Sequence, residues 1–564
     1  MTTEILGVIL IVFVTFLLAI PLGKYISKVF KGEKVWTDFL SPIEKFIFRI
    51  AGINADESLD WKENSKALLR LNVLFFVWGF IILIFQGKIP FLNPANIGDM
   101  EATLSFNTAS SFTTNTNLQH YSGETGLSYL SQLIVIGFLQ FVTAATGIAA
   151  FGLLLKGLVQ KKTSELGNYY NLFLKSCTRI LLPLSAVVAI LLLLNGVPTT
   201  FNGLQTVTTL EGDSVQVATG PVAPIVAIKQ LGTNGGGYFG PNSTHPFENP
   251  NYFTNVIETF SIGIIAIALV FTFGFYLEKK KLAWIFFGVM TFLFLTFVVS
   301  AVKLETSGNP MISKLGISQP MGSMEGKEIR FGSAASALWG VFTTSTSNGS
   351  VNAMHDSLTP LTGGILLLDM SINAIYGGVG VGFINFFMFV IIAVFIGGLM
   401  VGRTPEFLGK KIEVREVKIA ALIILLHPFL ILVGTALAAL AAAMNPSIGW
   451  LNNPSFHGFS EMLYEFTSAA ANNGSGFEGL GDNTSFWNIS TGIVMLLGRY
   501  LPIIGPLAIA GFFASKKTVP FSEGTLKADS IAFGVVLLGV LLVVAALSFF
   551  PALTLGPIAE YFSM

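Results

Sequence analysis

The distribution of apolar residues restricts this chain of 564 residues more than any other feature. Ten apolar runs recur along its whole length, each long enough to cross the roughly 30 Å hydrocarbon core of a bilayer as a helix. Charged residues make up only 11% of the sequence, whereas a soluble domain carries about 25%. The pattern predicts an all-α polytopic membrane protein with about ten transmembrane helices. The runs lie near residues 5–24, 67–87, 128–155, 175–196, 256–277, 283–302, 371–402, 416–444, 487–514 and 528–552.

Lysine and arginine gather in alternate loops between these runs. No basic residue precedes the first run, and Lys24 and Lys28 follow it, which is the reverse of a secretory signal. Cytoplasmic loops are expected to hold the basic residues. If the N-terminus is outside, 25 of the 32 basic residues fall in cytoplasmic segments or at their helix ends. The count predicts that both termini lie outside. Those segments are 24–70, 156–179, 278–281, 403–418 and 516–527.

Four of the outside segments contain a stretch rich in Gly, Asn, Ser and Thr. With Asn115, Asn234, Asn348 and Asn473 as markers, the stretches are separated by 119, 114 and 125 residues. Internal repeats are common in transport proteins. We therefore predict four helix–pore loop–helix repeats with pseudo-fourfold symmetry around a selectivity filter, and one extra helix at each end. The predicted units are 1–60 (first helix and linker), 61–160, 161–280, 281–415 and 416–520 (repeats 1 to 4) and 521–564 (last helix).

These loops suit a large, weakly hydrated cation. Irregular backbone at membrane depth is tolerated where it lines a cavity or is buried in protein. Ring-stacked carbonyls and hydroxyls can replace the water around K⁺, whereas Mg²⁺ and Ca²⁺ usually require carboxylates, which these loops lack. A solvated turn explains one such loop, but not four at matching positions. The predicted K⁺ ligands are Thr114, Asn115, Thr116, Thr233, Asn234, Gly235, Ser347, Asn348, Gly349, Asn472, Asn473 and Gly474.

Three ionisable residues lie in or beside the predicted spans and are candidates for the ion pathway. Asp369 and Glu258 lie near the outer ends of the seventh and fifth runs, where a carboxylate would attract a cation or simply be solvated. Arg499 lies midway through the ninth run, where it would either block ions from leaking straight through or pair with an acid. The histidines of the outside segments fit no metal motif by spacing. They are interpreted as loop-packing residues: His120, His245, His355 and His457.

Four strings carry a resemblance to a known family. They are Gly232-Thr-Asn-Gly-Gly-Gly-Tyr-Phe-Gly-Pro-Asn-Ser-Thr-His-Pro-Phe-Glu-Asn-Pro250, Asn348-Gly-Ser-Val-Asn-Ala-Met-His-Asp356, Gly402-Arg-Thr-Pro-Glu-Phe-Leu-Gly-Lys-Lys411 and Gly498-Arg-Tyr-Leu-Pro502. With them, essentially the whole chain resembles the potassium-binding A subunits of the bacterial Kdp potassium-transporting ATPases.

The resemblance implies a location, a set of partners and a path for the ion. The protein would be multi-pass in the bacterial inner membrane, within the lipid bilayer. Its partners would be a P-type ATPase B subunit, a C subunit with one membrane helix and a small membrane peptide F. K⁺ would enter from outside and pass to the ATPase subunit through an intramembrane tunnel. Neither an organic cofactor nor nucleic acid is expected.

Two other classes of function were weighed. The sequence lacks the His-Glu-x-x-His and Gly-x-Ser-x-Gly patterns of intramembrane hydrolases. It also lacks a P-loop and the Asp-Lys-Thr-Gly phosphorylation string, so we expect no catalytic site in this chain. A stand-alone potassium uptake channel of the same superfamily, with a soluble regulator, is the nearer alternative. The extra terminal helices and the 232–250 string favour the Kdp interpretation.

Overall fold

A computed structural model describes residues 2–400, 402, 404–445, 447–518 and 527–564. Among these residues, ten helices are long and apolar enough to cross a membrane, which confirms the predicted number. In chain order, spans 1 to 10 are Thr3–Lys31, Trp61–Lys88, Tyr129–Val159, Tyr169–Leu194, Tyr252–Tyr276, Lys280–Lys314, Val381–Met400, Val414–Met444, Ser485–Ser515 and Ile531–Ser563.

A short helix in each repeat enters the bundle without crossing it. Two of them, Val222–Leu231 and Gly332–Ser345, contain a short, mostly apolar stretch of sequence before a polar loop, at 222–231 and 335–342. The other two contain too many Ser, Thr and Glu residues for hydropathy to reveal them. The last seven residues of each of these helices are buried. Pore helices 1 to 4 are Ala102–Thr113, Val222–Leu231, Gly332–Ser345 and Phe456–Ala471.

The sequence predicted the seventh apolar run to be one helix, but the structure divides it in two. Its first part belongs to a separate helix, Pro360–Ile372, and span 7 begins only at Val381. Between the two, Asn373, Gly377 and Gly380 have positive φ angles of 46°, 58° and 85°. An α-helix cannot continue through such a conformation. Hydropathy missed the interruption because the non-helical residues are themselves largely apolar or glycine. Residues 373–380 are called the break segment below.

The remaining elements are small. Helical turns and short helices occupy Trp36–Leu40, Ser41–Ala51, Gln86–Lys88, Gly123–Gly126, Asn242–Thr244 and His355–Ser357. Two antiparallel hairpins pair Gln205–Thr208 with Ser214–Val217 and Glu406–Phe407 with Lys410–Lys411. The unit boundaries proposed from the sequence stay predictions, and the one at 520/521 lies outside the described residues.

The spans differ in how deeply they are buried. In span 5, 89% of the most apolar stretch is buried, against 28% in spans 1, 2 and 8. Span 1 packs along span 5, where Gly23 lies so close to Phe271 and the backbone of Ala268 that no side chain would fit. Apolar residues that remain exposed on an apolar helix are expected where lipid covers them. The repeats therefore surround a buried centre, and the terminal and eighth spans lie on the periphery.

Candidate ion-binding site

The chain leaves each of the four pore helices in the same way. The residue that ends the turn is left-handed in all four: φ is 64° at Asn115, 48° at Thr233, 48° at Ser347 and 52° at Asn472. The amide of the next residue then donates to a carbonyl five residues back, at 2.8–2.9 Å. This bond satisfies a carbonyl that the helix end would otherwise leave unpaired. The bonded pairs are Thr116–Ser111, Asn234–Lys229, Asn348–Thr343 and Asn473–Ser468.

This geometry corrects the register of the first loop. Thr116, not Asn115, is equivalent to Asn234, because both donate the bond that closes the helix end. Thr114 still belongs to that end, since its amide donates to the Ser110 carbonyl at 3.0 Å. The equivalent window in repeat 1 is therefore 115–117 rather than 114–116. Loops 1 to 4 below are residues 115–117, 233–235, 347–349 and 472–474.

The four loops converge on one point. A Cβ atom on Gly235 would lie 2.9 Å from the Thr116 carbonyl oxygen and 3.1 Å from that of Asn473. A Cβ atom on Gly349 would collide with the Asn473 carbonyl, and one on Gly474 with the Thr116 carbonyl. Loops 2, 3 and 4 thus each place a glycine against a carbonyl of another repeat. Glycine is required because the backbones approach too closely for any side chain.

Asparagine side chains connect each loop to its neighbour and close the ring. The Nδ2 atom of Asn234, in loop 2, donates to the Oδ1 atom of Asn115, in repeat 1, at 2.6 Å. The Oδ1 atoms of three of these asparagines also accept hydrogen bonds, Asn115 from Thr143, Asn348 from the Ser350 amide and Asn473 from the Ser475 amide. These asparagines therefore brace the loops. The Nδ2 atoms donate from Asn115 to the Gly232 carbonyl (3.0 Å), from Asn348 to the Lys229 carbonyl (3.3 Å), from Asn473 to the Thr343 carbonyl (2.8 Å) and from Asn472 to Thr116 Oγ1 (2.9 Å).

A buried ion pair supports loop 2 from behind. The Lys229 ammonium group pairs with Glu248 and donates to Asn242 Oδ1 at 2.7 Å, and both charged side chains are fully buried. Asn242 in turn donates to the Gly235 carbonyl at 2.5 Å. Breaking such a pair by removing one partner typically costs about 3–5 kcal/mol. The long 232–250 string therefore fixes the position of one glycine of the ring.

Both candidate carboxylates lie behind the loops rather than on the axis. Glu258 accepts from Gln230 and Ser243, each at 2.7 Å. Asp369 accepts from Thr344 and Ser345, at 2.7 and 2.6 Å, beside the end of pore helix 3. Each carboxylate keeps one oxygen, Oε1 of Glu258 and Oδ1 of Asp369, without a hydrogen-bond partner among the described residues.

Arg499 and the break segment lie directly beneath the loops. The Val379 amide donates to Thr233 Oγ1 at 3.0 Å. A Cβ atom placed on Gly378 would lie 3.7 Å from the Ser347 Cβ atom and 3.8 Å from both Thr233 Oγ1 and Arg499 Nη1. The Nη2 atom of Arg499 is buried and has no hydrogen-bond partner within the described part of the chain. A guanidinium group and a stretch of backbone thus lie against loops 2 and 3.

A lateral cavity opens next to this crossing. It is lined by Asn373 of the break segment, Gly498, and Ala470 at the end of pore helix 4. Residues of spans 7, 8 and 10 complete its wall, including Asn385 and His427. The cavity therefore lies beside the break segment and the end of pore helix 4, among helices of repeats 3 and 4 and the last span.

The histidines of the outside segments contact their neighbours closely. His245 stacks on Phe239 with a centroid separation of 3.8 Å. His120 is bonded to Asn488 at 2.7 Å and to Glu465 at 3.0 Å. Burial alone would lower the pKa of His120, but Asp482 and Glu465 outweigh it and raise that pKa to about 9. His120 is therefore an imidazolium at neutral pH that ties repeat 1 to repeat 4.

Comparison with known proteins gives a consistent result. The family model described as "Potassium-transporting ATPase A subunit" matches residues 9–562. A protein of Flavobacterium johnsoniae named "Potassium-transporting ATPase potassium-binding subunit" is 59% identical over the whole of both chains. A protein of the same name from Geobacillus kaustophilus is 49% identical over 98% of both chains.

One solved structure shows the same fold. The crystal structure of the potassium transporter TrkH from Vibrio parahaemolyticus covers 90% of this chain, and 97% of the TrkH chain is matched. The TM-score is 0.52 at 16% sequence identity. The arrangement of helices is thus shared with that transporter although little sequence is.

Proposed function

This chain belongs to the family of potassium-transporting ATPase A subunits, and on that premise we propose that it takes up K⁺ through the ring of four loops and delivers it to a P-type ATPase subunit. The observation that carries the proposal is the closed ring itself. Its loops contain no charged side chain, and its asparagines are occupied in holding neighbouring repeats together.

The ligands are proposed to be the carbonyls of the equivalent residues Thr116, Asn234, Asn348 and Asn473. The Thr116 and Asn473 carbonyls already lie against glycines of the other loops. Neutral oxygens in a ring replace the hydration shell of a large alkali cation without trapping it as a carboxylate cage would. Glu258 and Asp369 then act from behind, where negative charge favours a cation without coordinating it.

The ion is proposed to leave the ring sideways. Arg499 and the break segment lie against loops 2 and 3, and a fixed positive charge there would oppose a cation that continues along the axis. The lateral cavity beside Asn373 and Gly498 offers the alternative direction. We place the start of the intramembrane tunnel to the ATPase subunit there.

The energy for uptake would come from partners. The proposed complex contains the P-type ATPase B subunit, a C subunit with one membrane helix and the small peptide F, all in the bacterial inner membrane. K⁺ is the substrate, and the proposal needs no organic cofactor and no nucleic acid. Membership of the ATPase subunit family favours this complex over a stand-alone uptake channel.

The proposed orientation places both termini outside, because the basic residues then lie in the cytoplasm. A reporter fused after Lys281, between spans 5 and 6, should be cytoplasmic. A reporter inserted within 305–330, beyond the apolar part of span 6, should be outside. Phosphatase and fluorescent-protein fusions at both sites measure this, and the opposite result at either site would overturn the orientation.

The functional test is a titration of K⁺ against ATP hydrolysis in the purified complex. Thr233→Ala removes the hydroxyl that holds Val379, and Asn473→Ala removes the bridge from loop 4 to repeat 3. Both should raise the K⁺ concentration for half-maximal activity by tenfold or more, about 1.4 kcal/mol of lost binding, with little change in maximal turnover. Asn195→Ala, at the far end of span 4, is the control. Unchanged K⁺ dependence in both variants, or ATP hydrolysis by this chain alone, would refute the proposal.

A further inference from the structure

A cluster of acidic residues around one histidine lies away from the ring, at the end of the bundle where pore helix 4 begins. His457 and Glu461 are one turn apart on that helix and therefore face the same side. Asp356 comes from the turn His355–Ser357, which follows loop 3. One possible ligand atom from each of the three residues lies within 4.8 Å of the other two. Residues a hundred positions apart thus meet at one point.

The pocket between these side chains is shaped by a glycine. A Cβ atom on Gly479 would lie 2.8 Å from Asp356 Oδ2 and would collide with Glu461 Oε1. The backbone therefore forms one wall at the closest distance that packing allows. On the other side the cluster adjoins a cavity of about 450 Å³ lined by Asp356, His457, Glu560 and Asn453, among others, which provides an entry path for a small ion.

One atom of the cluster has no partner. Glu461 is fully buried, and its Oε1 atom accepts from the side chain of Asn453 at 3.1 Å. Its Oε2 atom has no hydrogen-bond partner among the described residues. Buried carboxylate oxygens are normally satisfied, so an orphan oxygen on a residue this close to His457 and Asp356 points to a missing ligand.

The charge of the cluster is also unbalanced. Four carboxylates surround a single imidazole, and within the described residues the ion pairs of the cluster are both made by His457. The four are Asp356, Glu461, Glu560 and Glu478, whose Oε2 atom accepts from the Asp356 amide at 3.2 Å. The site would therefore be stabilised by an added positive charge.

The histidine is oriented as a metal ligand usually is. Its Nδ1 atom is 2.9 Å from Glu560 Oε1, and its Nε2 atom is 2.9 Å from Asp356 Oδ1. Metal-bound histidines commonly donate the second ring N–H to a carboxylate, which fixes the ring and its tautomer. A metal at Nε2 would replace the proton there, which leaves for solvent. Ligands bound to Zn²⁺ at about 2.0–2.1 Å lie roughly 3.3 Å apart, so the His457–Asp356 contact need open by only a few tenths of an ångström.

We propose that Asp356, His457 and Glu461 bind a divalent transition-metal ion, with Zn²⁺ the best match, and that Glu560 orients the histidine from the C-terminal helix. An imidazole with two carboxylates suits Zn²⁺ better than Ca²⁺ or Mg²⁺, which take oxygen ligands. The bound ion would fasten the start of pore helix 4 to the segment after loop 3 and to the last helix of the chain. It would brace the ring from outside without taking part in K⁺ coordination.

The test is Zn²⁺ binding to the purified complex after treatment with a chelator, followed by isothermal titration and by metal analysis after gel filtration. Wild type should bind one Zn²⁺ per copy of this chain more tightly than the variants. Glu461→Gln and His457→Ala should each lose at least about tenfold in affinity, as expected for a lost ligand. Glu325→Gln, an exposed carboxylate lining the same cavity, is the matched control and should bind as wild type.

The visible absorption of bound Co²⁺ is a second measurement, and it can be made even when the variants are obtained in poor yield. In wild type, bound Co²⁺ should show the visible absorption of a low-coordinate site with a nitrogen ligand. Binding that is equal in wild type, Glu461→Gln and His457→Ala would overturn the proposal. So would loss of binding in Glu325→Gln, or the absence of both Zn²⁺ and Co²⁺ from wild type. None of these results depends on K⁺ transport, so the metal site and the proposed function succeed or fail separately.

Discussion

Gly474→Ala is expected to abolish potassium uptake at low external K⁺. The added methyl group would collide with the Thr116 carbonyl of repeat 1, and φ at Gly474 is 106°, which residues with a Cβ atom rarely adopt. Backbone strain of this kind costs about 1–3 kcal/mol before any steric clash is counted. The ring would have to open, and its carbonyls would no longer match one ion size. We expect K⁺ affinity to fall by 100-fold or more, an effect of about 2.7 kcal/mol.

Alanine substitutions at two further glycines distinguish the steric clash from the backbone strain. Gly235 meets the Thr116 and Asn473 carbonyls but has no positive φ, so Gly235→Ala adds the clash alone. Gly288, on span 6, has nothing within 4 Å of its Cβ position, so Gly288→Ala adds neither. K⁺ affinity is measured by uptake of ⁸⁶Rb⁺ and K⁺ in cells. We expect Gly288→Ala to have the affinity of wild type, Gly235→Ala a lower affinity and Gly474→Ala the lowest. Wild-type affinity and wild-type Na⁺ discrimination in Gly474→Ala would contradict the convergence of the loops.

Arg499→Gln is expected to let cations pass without ATP. The guanidinium group lies beneath the ring with one nitrogen unpaired among the described residues. A monovalent cation about 8 Å from the guanidinium group is raised in energy by roughly 2 kcal/mol if the effective dielectric constant is about 20. Removing that charge should speed passive passage along the axis by roughly 30-fold.

The leak is measured as ⁸⁶Rb⁺ flux into proteoliposomes that contain the purified complex and no ATP. Arg415→Gln is the matched control, because Arg415 is about half exposed and pairs with Glu413 and Glu416 at the start of span 8. A flux in Arg499→Gln no greater than in this control would show that the break segment alone closes the axis. In that case the role proposed for Arg499 would be wrong.

The sequence predicted the fold well because two strong signals repeat in it. Ten apolar runs fix the number of spans, and four Gly/Asn-rich loops at similar spacing fix the repeats. The interruption between Ile372 and Val381 was missed, since its residues are as apolar as those of a helix. Positive φ at Asn373 and at two glycines decides that conformation, and hydropathy does not report φ.

The K⁺ ligands stay a prediction, but the equivalence of the loops was wrong by one residue in loop 1, where residue type misled the alignment. Asn115 was matched to the other asparagines by its side chain, whereas backbone hydrogen bonds make Thr116 the equivalent position. The role of the asparagines could not be read from the sequence either, because their partners are carbonyls of other repeats more than a hundred residues away. The contact of Asp356 with His457 arises for the same reason, from tertiary folding alone.

The most direct test of the account is to locate the bound cation. Tl⁺ substitutes for K⁺ and scatters anomalously, so crystals of the complex grown in Tl⁺ would show where the ion binds. We expect a strong peak on the pseudo-fourfold axis, among the carbonyls of Thr116, Asn234, Asn348 and Asn473, and its loss in Gly474→Ala. A peak at the Asp369 or Glu258 carboxylate, with none on the axis, would contradict it.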